Sequence, residues 1–122
     1  MLDPVILAAV ALAGGLGAVI RLFVGRWRGR LPWGILLANT LAGLILAFLQ
    51  MISLQIDDRF LFAVVFVGLC GGLSTYSSVA ADTGNYLKDR AYGKAVANLA
   101  ANLGIPLVAY LLPVALLANL VN

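Results

Sequence analysis

The sequence contains no histidine and no glutamate, and its five acidic residues are all aspartates: Asp3, Asp57, Asp58, Asp82 and Asp89. That removes the usual general acid–base groups and most metal ligands, and it argues against a hydrolytic or metal-dependent enzyme. There is one cysteine, Cys70, inside an apolar run. No intrachain disulfide can form, and the residue reads as a small buried filler. Charge is scarce altogether, at 11% of 122 residues against 63% hydrophobic, with a mean hydropathy of +1.04. Water cannot be the main solvent of such a chain.

What is present is long apolar sequence. Between charges run uncharged stretches over 4–20, 31–56, 60–81 and 95–122, each near or above the roughly 17–25 residues that cross a bilayer core. They predict an all-α integral membrane protein, one transmembrane domain over 1–122 with spans near 4–24, 32–55, 60–83 and 95–120. The first stretch lacks the basic lead and cleavage site of a signal peptide, so it is read as a retained helix. No internal repeat or low-complexity segment interrupts this pattern.

The net charge of +3 belongs to the connectors. Those after the first and third spans lie on one side of the membrane and carry Arg21, Arg26, Arg28, Arg30, Lys88, Arg90 and Lys94. The other side has only Arg59. A seven-to-one bias places both basic loops in the cytoplasm and both termini outside.

Polar residues inside the spans carry the functional information. In "GGLGAVIRL" of the first span, Gly14 and Ala18 share a face and Gly17 thins the same region, a pattern for close helix packing or, less economically, contact with a transported species. Arg21 ends that span, where it either snorkels to the interface or draws anions to a vestibule. The second span, "WGILLANTLAGLILAF", sets Asn39 among aliphatic residues. Its amide is either an interhelical hydrogen-bonding group or an N–H donor to a dehydrated anion.

The third span reads "VGLCGGLSTYSSVAAD", three glycines followed by Ser74, Thr75, Tyr76, Ser77 and Ser78. Such a run is a poor continuous helix, and Gly71 with Gly72 would permit unusual backbone angles, so a break is predicted near 71–75. Non-helical backbone at that depth lines a cavity or is buried in protein, and its carbonyls can hold a small cation. In the fourth span Asn98, Asn102 and Pro106 share a face. Pro106 removes the helical donor of the Asn102 carbonyl and Pro113 that of Ala109. The stripe reads as a kink or as the continuation of a polar pathway.

In "GGLGAVIRL", "WGILLANTLAG" and "GLCGGLSTYSS", taken in this order along nearly the whole chain, the sequence resembles the CrcB/Fluc family of fluoride channels. The resemblance implies an antiparallel dimer in the cell membrane, with two narrow fluoride pores along the interface, passive fluoride export that lowers cytoplasmic fluoride, and a structural sodium ion at the centre. It places the sodium on the main-chain carbonyls of Gly71 and Ser74 and the fluoride pathway on Asn39, Thr75, Tyr76, Ser77 and Ser78, and it matches Arg21, the vestibule candidate, to the arginine that ends the first motif; Asn102 joins the pathway through the stripe of the fourth span. Fluoride is small and strongly hydrated, so a dry pore needs amide N–H, O–H and the positive edges of aromatic rings rather than titratable groups.

The family pattern resembles "GGFTTFSTF", with two phenylalanines three residues apart after the break. Here Tyr76 holds the first of those positions and Val79 the second. Tyr76 keeps a ring edge; Val79 offers neither ring nor donor. An antiparallel homodimer also requires one sequence to insert both ways, which the charge bias opposes, so pairing with a homologous subunit of opposite bias is expected. Two other classes compete. A small multidrug transporter shares four helices but works through a membrane carboxylate, and Asp82 is the only acid near a span. A non-conducting structural or regulatory subunit is the other, and Val79 keeps it in play.

Overall fold

Four apolar segments must each satisfy their own backbone in lipid, and helices do this within a single segment. The computed structural model describes residues 3–53 and 58–121. Among them it has four stretches long and apolar enough to cross a membrane, and no strand. Helix α1, Pro4–Val24, starts where Asp3 accepts the Val5 N–H at 2.9 Å and Pro4 supplies a preset φ. It is followed by α2, Trp33–Ser53. The predicted end of the second span at 55, and Asp57 of the next connector, lie outside the described residues.

The third span, Arg59–Lys88, is composite. It comprises α3 (Arg59–Phe62), a π-helical stretch Ala63–Cys70, one turn of α4 (Gly71–Leu73), and α5 (Tyr76–Lys88). Ser74 and Thr75 separate its halves in extended conformation, with ψ of 151° and 123°. Helix α5 runs past the predicted boundary at 83, so most of the connector expected over 82–94 is helical. It ends in a tight corner where Ala91 N–H reaches the Tyr86 carbonyl at 2.8 Å. Arg90 takes the left-handed position there, φ 55°, which glycine usually fills. Helix α6, Tyr92–Val121, contains Pro106 and Pro113.

Glycines set the spacing of the bundle. A Cβ at Gly17 would strike the backbone of Leu69 and Leu73, and one at Gly72 would strike the backbone of Gly14; at Gly68 it would come within 2.9 Å of the Val10 carbonyl oxygen. So α1 crosses the third span backbone to backbone, the packing reading of "GGLGAVIRL". On the other side Gly43 of α2 meets the Pro106 carbonyl of α6, 2.6 Å from where a Cβ would stand. Between these crossings lies a small core of Ala38, Ala42, Cys70 and Leu73. Cys70 is buried there with its thiol directed at the Ala42 carbonyl, 3.7 Å away, the filler its context suggested. The outward faces are apolar, as in Leu12, Leu16, Phe48, Val67, Leu107, Val108 and Leu120. A surface this greasy is covered by lipid or by another subunit.

Candidate functional site

The break in the third span sits midway between Arg59 and Lys88, and one side chain from α2 holds it open. Asn39 Oδ1 accepts the Thr75 N–H at 2.8 Å, while its Nδ2 donates to the Thr75 carbonyl at 3.3 Å. The amide thus supplies both hydrogen bonds that Thr75 forgoes by leaving the helix, which an extended residue in a bilayer requires. Thr75 then caps α5, its Oγ1 accepting the Ser78 N–H at 3.2 Å.

These substitutions release two carbonyls. In an unbroken helix the Thr75 N–H would go to Gly71 and the Ser78 N–H to Ser74; here both are taken, by Asn39 and by the Thr75 hydroxyl. The Ser74 carbonyl accepts instead from Arg21 Nη1 at 3.3 Å. Gly71 and Ser74 line an open cavity of about 430 Å³ with Asn39, Gly43, Phe66 and Cys70. Two main-chain oxygens stripped of helical donors suit a hard cation. The glycines contribute differently from expectation. Gly71 keeps helical angles, φ −62° and ψ −38°, and no glycine has positive φ among the described residues. The break falls on Ser74 and Thr75 because Asn39 pulls on Thr75, and Gly72 serves the contact with Gly14.

From Asn39 the hydrogen bonding continues in one direction. Its second Nδ2 proton goes to Asn102 Oδ1 at 3.0 Å; Asn102 Nδ2 donates to the carbonyl and Oδ1 of Asn98, at 3.0 and 3.1 Å. Asn98 Nδ2 donates to Thr83 Oγ1 at 2.9 Å and to the Val79 carbonyl at 3.3 Å. Three amides on two helices therefore form a buried relay that ties α2 to α6 and α6 to α5. The asparagine stripe of α6 faces inward and fastens the second half of the broken span, and Pro106, one turn beyond Asn102, lines a cavity at the break.

Asn39, Ser74, Thr75, Tyr76 and Asn102 converge on a second open cavity, about 230 Å³, which Val79 and Pro106 also line. Tyr76 projects its ring outward, 63% exposed. Ser77 and Ser78 line neither cavity at the break. The Ser77 hydroxyl lies 3.1 Å from Thr75 Oγ1, and Ser78 lines a third cavity together with Arg21. Gly71 belongs to the 430 Å³ cavity alone. Val79 is wholly buried in the bundle, 0% exposed. Thr83 escaped the sequence reading; its signal was a hydroxyl on the helix face of Tyr76 and buried Val79, at spacings of three and four.

The site holds amide N–H, hydroxyls, ring edges and carbonyls without helical donors, that of Ser74 facing Arg21 instead, and no titratable group lines the two cavities at the break apart from the outward Tyr76 and the Cys70 thiol. Such neutral donors and acceptors suit contact with a small ion. A family model described as CrcB-like protein, Camphor Resistance (CrcB), matches residues 8–114. A protein of Sulfurovum sp. (strain NBC37-1) named "Fluoride-specific ion channel FluC" is 30% identical over 98% of this chain and 98% of its own length. "Fluoride-specific ion channel FluC 1" of Rubrobacter xylanophilus is 35% identical over 82% of this chain and 86% of its own. The "Fluoride-specific ion channel FluC" of Methanopyrus kandleri is 42% identical over 67% and 66%. With the family match running through all four spans and a relative aligned nearly end to end, this multi-pass membrane protein belongs to the CrcB family.

Proposed function

We propose that the chain is a subunit of a fluoride-selective channel that lets fluoride leave the cell passively and so lowers its cytoplasmic concentration. The observation that carries this reading is the interrupted third span. Extended backbone in mid-bilayer is costly unless it lines a polar route or is sealed in protein, and here it borders open cavities lined by neutral donors. Relatives named for fluoride supply the ion. Both amide protons of Asn39 are engaged within the chain, so its part in the pathway is to hold Thr75, Tyr76 and Ser74 in place and to exchange a bond with a passing anion.

The Gly71 and Ser74 carbonyls would hold a structural sodium ion. One chain offers two such oxygens, fewer than a hard cation takes, which supports a second subunit facing the first with its own break. The bias in charge and Val79 at a phenylalanine position support an unequal, antiparallel pair, in which a homologous subunit of opposite bias provides the rings. Both termini of this chain then lie outside the plasma membrane, and Arg21 stands at the cytoplasmic vestibule.

Efflux from reconstituted vesicles tests the reading. The expected result is fluoride efflux far above chloride efflux when the chain is co-expressed with its homologue; equal rates would refute selectivity. Mass spectrometry of the chain expressed alone tests the pairing, and a stable homodimer that conducts fluoride would overturn it.

A further inference from the structure

A third cavity, about 510 Å³, opens at the end of α1; its Arg21 and Ser78 bond to residues of the break, but it shares no lining residue with the two cavities there. Arg21, Arg26 and Arg28 line it, with Leu22, Ile35 and Ser78. One acid answers these three cations: Asp82 accepts from Arg28 Nη1 at 3.0 Å through a single carboxylate oxygen. Arg21 leans on a neutral carbonyl, and Arg26 lies over the Phe23 ring, 5.1 Å from its centroid. Neither meets a carboxylate within ion-pair distance among the described residues. The cavity therefore keeps an excess of positive charge and unspent guanidinium N–H groups.

Its depth in the bilayer can be read from its neighbours. Trp27, between the cavity-lining Arg26 and Arg28, and Trp33, the first residue of α2, are 62% and 39% exposed, as tryptophans are at headgroup level. Leading away from it into the apolar zone is a stripe of exposed side chains on α1, Leu12, Leu16, Val19 and Phe23, spaced by four, three and four residues along one face. A basic pocket between helices at the interface, continuous with an apolar track, matches an anionic headgroup and its acyl chain. It is also much larger than a monatomic anion needs.

We propose that this cavity binds the phosphate headgroup of an anionic phospholipid, gripped by Arg26 and Arg28, with an acyl chain lying along Leu12, Leu16, Val19 and Phe23. Arg28 can keep Asp82 while giving its other N–H groups to the phosphate, since guanidinium carries five donors. A free phosphate would satisfy the same arginines, but it would leave the apolar track uncovered.

The test is thermal unfolding of the purified protein in micelles doped with phosphatidylglycerol, with phosphatidylcholine, or with inorganic phosphate alone. Phosphatidylglycerol should raise the midpoint and phosphatidylcholine should not. Arg26→Gln should weaken the apparent phosphatidylglycerol affinity about fivefold, the worth of one cation at the headgroup, and Arg26→Lys should recover part of it. Arg30→Gln removes the same charge from the same loop without touching the cavity, and it should keep the effect. Equal losses in Arg26→Gln and Arg30→Gln would reduce the effect to diffuse surface charge and overturn the site. An equal midpoint shift from inorganic phosphate alone would overturn the lipid assignment, as would indifference to headgroup charge. None of these readouts involves fluoride transport, so they stand or fall apart from the channel reading.

Discussion

At the scale of single residues the molecule turns on Asn39. Its side chain makes three hydrogen bonds, two of them to the backbone of Thr75. Replacing it with alanine leaves a buried N–H and C=O of Thr75 without partners in an environment that offers no water, and the loss should be about 2 kcal/mol. Thr40 is the contrast. Its hydroxyl bonds the Leu36 carbonyl of its own helix at 2.7 Å, so Thr40→Ala should change stability by less than ~0.5 kcal/mol. Unfolding in detergent measures both, and similar losses would deny Asn39 its special place. The amide was recognisable in the sequence as a group needing partners, but its partner lies 36 positions away, and no spacing rule connects Asn39 to Thr75.

At the scale of elements, the third span joins two devices that the sequence suggested as one. Its break was legible as glycines followed by hydroxyls. The glycines, however, stay helical, and Gly68 and Gly72 exist for the crossing with α1. An alanine at either Gly17 or Gly72 must push whole helices apart, at a cost of about 1–3 kcal/mol. Gly84 of α5 has nothing within 4 Å of an added Cβ, so Gly84→Ala should stabilise by about 0.5–1 kcal/mol through backbone entropy. Thermal midpoints of the three variants check this; a stabilising Gly72→Ala would contradict the backbone contact. The role of small residues was ambiguous in the sequence because glycine is chosen both for unusual angles and for closeness, and only the partner helix distinguishes them.

At the scale of the whole molecule, the distribution of arginines and lysines argues for one orientation. Asn85, on the basic end of α5, and Ser53, at the far end of α2, are both exposed, while the native Cys70 is buried. A membrane-impermeant thiol reagent applied to intact cells should therefore label Ser53→Cys directly and Asn85→Cys only after permeabilisation. Equal labelling of the two would mean insertion both ways, and with it a homodimer. The same asymmetry gathers Arg21, Arg26 and Arg28 at one end of α1, where Arg28 also ties the first loop to α5 through Asp82. Arg28 is 61% exposed but the Asp82 side chain only 12%, so Asp82→Asn should cost more than a surface pair's usual loss of about 0–1 kcal/mol; a smaller fall in unfolding midpoint would show that solvent screens the pair.

The sequence by itself determined the number of spans and the region of the break, because each follows from local composition: apolar length against bilayer thickness, and poor helix formers in a row; the side of the basic loops it gives as an expectation, from charge against the translocation barrier. It also marked Asn39, Ser74, Thr75 and Asn102 as polar groups out of place in hydrocarbon. Only the tertiary structure decided what they do. Hydrogen bonds between helices depend on which faces meet, and so the fastening of Thr75 by Asn39, the donor relay through Asn102 and Asn98 to Thr83, and the release of the Gly71 and Ser74 carbonyls appear only once α2, α5 and α6 are packed together.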